Sequence, residues 1–529
     1  MFAKQMTHRF TEGFRVNGIM TDRSRARQQR IVERLDKSNF PDDLSQPMFR
    51  VANIHFEIAG RAVGTPYGGI GLIHQLVKML DLPATIDERL HLFKFHLPYH
   101  ESDHVLNIAY NALCDARCLQ DLELRRQDEA YLNALGAARI PDPTTAGDFC
   151  RRFQQEHLDA LQDAIDTARR KIWASQPASF FEQAILDGDG SMVETDGECK
   201  QGMDISYKGQ WGYHPLVISL ANTGEVLRLV NRSGNRPSHE GAAAKFDEGI
   251  ALCRAAGFRS IRLRGDTDFS QTQHLDRWHE RGVLFCFGFD LTGSQHMHAD
   301  DLPESAWEPL KRPAKYQVKT KPRARPERVK QRVVEQRGFE DIRLVDEWVA
   351  ERPYRPVACK HTYRLVILRK NLKVSEPRQQ RLFDDYIYFL YLTNDWDSTP
   401  QEIVFDANDR CQQENLLAQL NAVRALHAPL DNLLSNHAYM LITSLAWNLK
   451  AWLALSLPEP CGSGKARQAE QKRGLLTMEF RTFVNFLMRV PAQVVRTGRR
   501  LVIRLLAWNE WQPVFLRLTD RLCRRPLRC

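Results

Sequence analysis

Between residues 70 and 135 apolar positions recur at helical spacing, with Val105, Ile108, Ala109, Ala112 and Leu113 on one face. Gly136 and the Pro141/Pro143 pair stop that run. Thr145 and Asp148 then offer a capping box for a helix running to about Ile172. The pattern changes near 182. "QAILDGDGSMVET" is short, apolar and punctuated by glycine, which suits a buried strand. "YHPLVISLA" (213–221) and "EVLRLVNRS" (225–233) flank Asn222-Thr223-Gly224, a hairpin turn signal. A helix capped by Ser238 would bury Phe246, Ile250 and Cys253 and stop at Gly257. A strand over 260–268, a helix over 270–281 and a strand over 283–290 follow. The predicted order of this stretch is β-β-β-α-β-α-β, preceded by a mostly α region.

Residues 300–395 break that rhythm with β-rich text, "TYRLVILRK" and "DYIYFLYLTND". Thr399-Pro400-Gln401-Glu402 is a strong helix start, with Thr as cap, Pro in the first turn and Glu three residues on. The apolar stretch Tyr439–Leu457 is interrupted by Thr443, Ser444, Asn448 and Lys450, so it reads as a buried helix and not a membrane span. "CGSGKARQAEQKRG" (461–474) reads as a flexible linker before a basic helical tail.

Composition adds a partner class. The 529 residues imply two to four domains. The formal charge of +9 is small, but its distribution is uneven: Lys311–Arg332 holds ten Lys/Arg against Glu327 alone. A second run, Arg496–Arg528, has nine Arg against Glu510 and Asp520. Such patches on a balanced background suit phosphates. The eleven cysteines form no CxxC pair, which argues against a zinc ribbon and for reduced thiols. No apolar signal segment opens the chain, and the expected compartment is the cytoplasm.

Against this basic background, "LDGDGSMVETDG" (186–197) gathers four acids. On a strand, Asp187 and Asp189 share one face. "RLRGDTDF" places Asp266 and Asp268 at the end of the fourth strand, which lies beside the first in this order. Carboxylates that close repel unless protonated or bridged by a hard divalent cation. A third acid is expected from the Thr399-capped helix, where Arg410 and Glu414 share a face at i,i+4 and Glu402, Asp406 and Asp409 compete. "DGDG" also resembles the opening of a calcium loop, but Met192 stands where that loop needs Gly and Glu194 where it needs an apolar residue. His214 reads as packing or hydrogen bonding within the second strand.

These motifs, with "YKGQWGYHPLV", "DRCQQEN", "SNHAYMLITSLAWNLKAW" and "DLELRRQDEAYLNALGAARIPDPTTAGDFCRRF", occur in an order that resembles bacterial DDE transposases of the insertion-sequence-4-like superfamily, most closely the insertion-sequence-1380 group. The similarity spans about 80 to 520. It implies an α/β fold: an RNase H-like catalytic domain with a β-rich insertion, preceded by a mostly α-helical N-terminal domain and followed by a helical C-terminal region. The implied division is a polar basic arm (1–46), a helical DNA-binding domain (47–178), the first part of the RNase H-like core (179–298), a basic linker and β-rich insertion (299–396), the rest of the core with the Glu helix (397–458), and a linker with a basic helical tail (459–529). By motif, the catalytic and metal-binding acids fall on Asp189, Asp266 and Glu414, supported by Asp187, Arg410 and Asn415. The resemblance implies two Mg²⁺ ions, with Mn²⁺ as a substitute, and two-metal phosphoryl transfer. It implies double-stranded DNA as partner (element ends and target), a homodimer in the synaptic complex, no membrane, and association with the nucleoid. Lys311, Arg312, Lys315, Lys319, Lys321, Arg323 and Arg325 are the expected DNA-binding cations. Ala407 and Asn421 depart from the superfamily's Tyr-Arg-Glu-Lys pattern, on what is expected to be the Arg410/Glu414 face. A catalytically weak DNA-binding protein of transposase descent, or an RNase H-like nuclease, is the alternative.

Overall fold

The chain's structure, a computed structural model, describes residues 18–36, 55, 60, 63–94, 98–290, 299, 301–312, 341–375, 385–458, 464–497 and 500–524. Its centre is a mixed sheet. The strands are β1 (Gln183–Gly190), β2 (Leu216–Leu220), β3 (Glu225–Val230), β4 (Ser260–Gly265), β5 (Leu284–Phe289), β6 (Asp341–Tyr354), β7 (Tyr363–Ser375) and β8 (Asp385–Thr393). Their spatial order is β6-β7-β8-β5-β4-β1-β2-β3, with Glu308–Pro309 paired outside β6. β1 runs parallel to β4, in a register that sets Asp187 beside Arg264. β4 runs parallel to β5, while β2 is antiparallel to both β1 and β3. The first and fourth strands of the sequence-predicted unit are therefore neighbours. The β-rich segment after 340 continues this sheet through the antiparallel β8–β5 pair.

Local sequence explains these elements. All five residues of β2 are buried, as are the first five of β3, and Gly224 supplies the positive φ (70°) of the turn between them. The alternation of β1 sends Leu186 and Gly188 to one face and Asp187 and Asp189 to the other. Helix α3 (Ala242–Ala256) covers the first face, where Phe246 sits so close that a Cβ on Gly188 would approach its ring to 2.5 Å. The opposite face receives α4 (Pro400–Asp409) and α5 (Cys411–Ala422). Gln413 anchors α5 there, donating to the Val217 carbonyl at 3.2 Å and accepting from the Ser219 hydroxyl.

N-terminal to the sheet, α1 (Glu101–Leu113) buries the predicted apolar stripe. The expected single helix from Thr145 divides instead into Pro143–Arg151 and α2 (Gln155–Trp173). Its cap is Asp142, whose Oδ1 accepts from the Thr145 amide at 2.8 Å; Pro143 occupies the first turn, where no amide is needed. Helix α3 begins after Gly241 and not at Ser238. The C-terminal region departs from the expected helical tail: Ala492–Thr497 and Arg500–Leu505 form an antiparallel hairpin, joined by Gly64–Thr65, before a helix at Gln512–Arg524. Val494 and Val495, with Val502 and Ile503, are β-branched pairs that favour this strand geometry. The hydrophobic core is continuous from Ile70 to Leu522. The cysteines with described side chains are free, including Cys114 and Cys118. Among the described residues no helix is long and apolar enough to cross a membrane.

The outer edge of the sheet, β3, is closed by the buried helix α6 (Leu433–Leu455). Asn448 accepts from the Val226 amide at 2.9 Å and donates to its carbonyl at 3.0 Å, taking the place of a neighbouring strand. His437 bonds the Leu229 carbonyl at 2.8 Å, and Trp447 donates to that of Gly224 at 2.6 Å. Fully buried Glu225 accepts from Arg169, Trp173, Trp452 and Thr223 at 3.1, 2.9, 2.7 and 2.7 Å, tying α2 and α6 to the same strand. Asn448→Leu keeps the branched shape of the side chain but orphans the buried Val226 amide. It should cost about 1–3 kcal/mol in urea unfolding; a change within experimental error would show that α6 does not serve as the edge partner.

Candidate active site

The C-terminal ends of β1 and β4 carry Asp189 and Asp266 side by side, and α5 brings Glu414 over them. Asp189 lies near the end of β1 with its side chain mostly buried. Asp266 follows β4 directly, and its Oδ1 accepts from the Asp268 amide at 3.0 Å, which closes the turn Thr267–Phe269. Glu414 is in the first turn of α5 and is exposed. One guanidinium joins the set: Arg410 approaches Asp189 at 3.3 Å and Glu414 at 3.7 Å. Its charge also acts on Asp266.

The electrostatics follow from this crowding. Burial, then the neighbouring charge of Asp266 and the weaker effect of Glu414, push the Asp189 carboxyl up to about 7, against the opposing charge of Arg410. Asp266 is also raised, by burial and by Asp268, with Arg410 again opposing. Asp189 thus sits close enough to Asp266 and Glu414 for their charges to disfavour its ionisation. The donor set is all carboxylate oxygen, which suits a hard divalent cation and not a soft one. Among the described residues no three His, Cys, Asp or Glu side chains are already gathered as a metal cage; in this conformation the acids are arranged around Arg410.

The other expected residues take distinct places. Asp187 is 1% exposed and lies beneath the site, where Arg264 grips it at 2.7 and 2.8 Å. That excludes the calcium-loop reading, because Asp187 lies within a strand. Asn415 is exposed and accepts from Gln419 at 3.4 Å. Lys311 is exposed, whereas Arg312 is engaged by Glu347 at 2.7 Å. Lys315, Lys319, Lys321, Arg323 and Arg325 lie outside the described residues. The Thr399–Glu402 capping box is present. The expected continuous helix breaks at Arg410, which caps α5. Ala407 packs, partly buried, against an apolar cluster that includes Ile403, Val404 and Val349, while Asn421 is exposed on α5.

The charges that hold α4 carry no sign in the motifs. Arg264 also donates to Asp406 at 3.0 Å, and Arg262 donates to Asp406 at 3.0 Å and to Asp395. Asp395 stays at about 2: burial pulls it upward, but hydrogen bonds from Arg262 and Ser398 prevail. The alternating Arg-Leu-Arg of β4 is the one available signal, since it puts two guanidinium groups on the face that bears Asp266. His214 precedes β2, and its Nδ1 meets the Arg236 carbonyl, beyond β3, at 2.8 Å instead of a partner within the second strand. Its Nε2 edge packs on Gly190, where an added Cβ would come within 2.8 Å.

A family described as "Transposase DDE domain group 1" matches residues 46–527 of the chain. The chain belongs to this DDE transposase family. No curated protein matches it significantly. A solved structure similar to it is the cryo-EM structure of the piggyBac transposase synaptic complex with hairpin DNA, at 12% identity over 80% of this chain and 84% of that one. The TM-score between the two is 0.33. DDE transposases generally use divalent metal ions, and the all-oxygen donor set of this transposase is compatible with that chemistry.

The charges of the transposase site can be tested through stability. Arg264→Met leaves buried Asp187 without its partner and Asp406 with Arg262 alone, so it should cost about 3–5 kcal/mol in urea unfolding. Faster hydrogen exchange in 400–409 would accompany it; unchanged exchange there would show that α4 is held by other contacts. A second test concerns pH. Ordinary aspartate titrates at about 4. A folded value raised to about 7 means that stability present at low pH is lost as pH rises toward and through that value. In chelator, Asp189→Asn should therefore be more stable than wild type at pH 8, by roughly 2–4 kcal/mol, and not at pH 3. Equal pH profiles for the two proteins would refute the raised value.

Proposed function

We propose that the chain catalyses DNA strand cleavage and strand transfer in cut-and-paste transposition, at the terminal inverted repeats of an insertion sequence of the 1380 group. The observation that carries this reading is the convergence of Asp189, Asp266 and Glu414 on Arg410 at the ends of two parallel strands. The strand order β3-β2-β1-β4-β5, with β2 antiparallel to both its neighbours, supports an RNase H-like core into which β6–β8 are inserted.

Asp189, Asp266 and Glu414 would hold divalent metal, Mg²⁺ or Mn²⁺, which when bound supplies Lewis-acid charge and a more acidic water. Asp189 must be ionised for that role, so its raised value makes metal loading favour neutral to alkaline pH. Arg410, held half-buried between two acids, is positioned to neutralise a phosphate as it approaches them. Gln413 fixes the first turn of α5 against β2, so Glu414 projects from a seated helix. The Asp187–Arg264–Asp406 chain fixes α4 and places Arg410 at its end. The reading includes double-stranded DNA as substrate, a homodimer for pairing two ends, and a bacterial cytoplasm as the compartment.

A nicking assay on supercoiled DNA bearing the element ends tests the assignment. With Mg²⁺ or Mn²⁺ the wild type should nick, and Asp189→Asn, Asp266→Asn and Glu414→Gln should each lose at least about a hundredfold, the order of a lost charge-stabilising group. Activity equal to wild type in any of the three removes that residue from the site.

A further inference from the structure

Two basic segments far apart in the sequence meet. Helix Gly18–Leu35 carries five arginines, and four of them, Arg23, Arg27, Arg30 and Arg34, recur at i, i+4, i+7 and i+11 on one face. This helix docks on the C-terminal region through Ser24, whose hydroxyl donates to Gln512 Oε1 at 2.6 Å, and Arg27, which donates to the Leu505 carbonyl at 2.8 Å. Leu505 ends the hairpin that carries Arg496 and Arg504, and Gln512 opens the last helix. Arg23, Arg30, Arg34, Arg496 and Arg504 are all exposed. Asp22 is paired with Arg25 at 3.7 Å, Glu33 accepts from Gln29 at 3.0 Å, and Glu510 remains as an exposed acid nearby.

We propose that this helix and the hairpin form one cationic surface for the sugar–phosphate backbone of duplex DNA, assembled from opposite ends of the sequence. A helix this polar, with five Arg against two acids, gains little from its own burial. Yet it is held against a second basic element by two hydrogen bonds, so like charges are brought together where a solitary protein would gain by separating them. A polyanion relieves that cost, and a row of arginines one helical turn apart matches a linear array of phosphates better than a point ligand. The arginines named here supply charge and no array of amides or aromatic rings for reading bases, so the surface serves affinity and positioning more than sequence choice. The inference rests on the DNA-transposase reading but concerns none of its catalytic residues.

The test uses the full chain and a labelled duplex of arbitrary sequence, with binding followed by anisotropy over a range of salt. Two sets of changes are compared with wild type: Arg23→Gln, Arg30→Gln and Arg34→Gln in the helix, and Arg496→Gln and Arg504→Gln in the hairpin. Each set should weaken binding and reduce the slope of log K against log salt, by about 0.9 for each phosphate that is no longer neutralised. Unchanged thermal melting checks that these surface changes leave the fold intact. An unchanged slope in either set overturns the shared surface, even if Asp189-dependent nicking is present. A wild type with no salt-dependent duplex binding overturns this inference and the DNA reading together. Loss of binding to phosphatidylserine vesicles with duplex binding intact would assign the surface to lipid and also overturn it.

Discussion

Everything at the candidate site depends on a buried ladder of alternating charges that runs Asp187–Arg264–Asp406–Arg262–Asp395. Two arginines of one strand each bridge two aspartates from different parts of the chain. Buried ion pairs contribute little net stability against well-packed apolar residues, because desolvation offsets their attraction. Their value here is in position. A guanidinium binds carboxylates along fixed directions, so the paired acids set the height and rotation of α4 above the sheet. Arg410 and Glu414 follow within about one turn of the end of α4, and their placement inherits that rotation.

A carboxylate cluster placed on so rigid a base cannot relax by moving apart. Asp189 and Asp266 are fixed by strands, and Glu414 by a helix whose neighbouring residue, Gln413, is bonded to β2. Neighbouring carboxylates therefore add to burial in raising the proton affinity of both: Asp266 and Glu414 act on Asp189, and Asp268 and Asp290 act on Asp266. The same rigidity distinguishes Asp187 from Asp189, although both lie on one strand face two residues apart. Asp187 faces Arg264 in register and is neutralised in the interior, whereas Asp189 extends past the end of β4's pairing and meets acids.

Much of this is legible in the sequence. The Gly-punctuated "LDGDG", the Asn-Thr-Gly turn and the Thr399 capping box each have a local cause, and each element forms where its residues indicate. What is not legible lies in interactions between distant segments. The i,i+4 spacing of Arg410 and Glu414 gives no sign of the helix break between α4 and α5. Arg262 and Arg264 look like ordinary strand residues until Asp395 and Asp406, more than a hundred positions later, are set against them. The C-terminal hairpin is hidden by its arginines: "AQVVRTGRRLVIRL" is rich in Val and Ile, but its charge favours the expectation of a helical tail. The glycines of β1 look like punctuation, yet their reason is steric, with Phe246 against one and His214 against the other.

The β-rich insertion shows how a long excursion can leave the site undisturbed. β6 and β7 extend the sheet outward, and the chain comes back on β8, which pairs with β5 itself in the register Leu390↔Phe289 to Thr393↔Cys286. The return is locked by Thr393, whose hydroxyl donates to the Phe285 carbonyl at 2.6 Å, and by Asn394, which accepts from the Phe285 amide at 2.8 Å. Asp395 comes next, delivered to Arg262 at the position the pairing dictates. Thr399 then starts α4. Because β5 templates the returning strand, a slip of one residue would turn Leu390 and Leu392 to the other face and move Asp395 off Arg262. The register of one short strand pair, set by buried side chains on both sides, therefore fixes where Glu414 stands relative to acids that precede it by 148 and 225 positions.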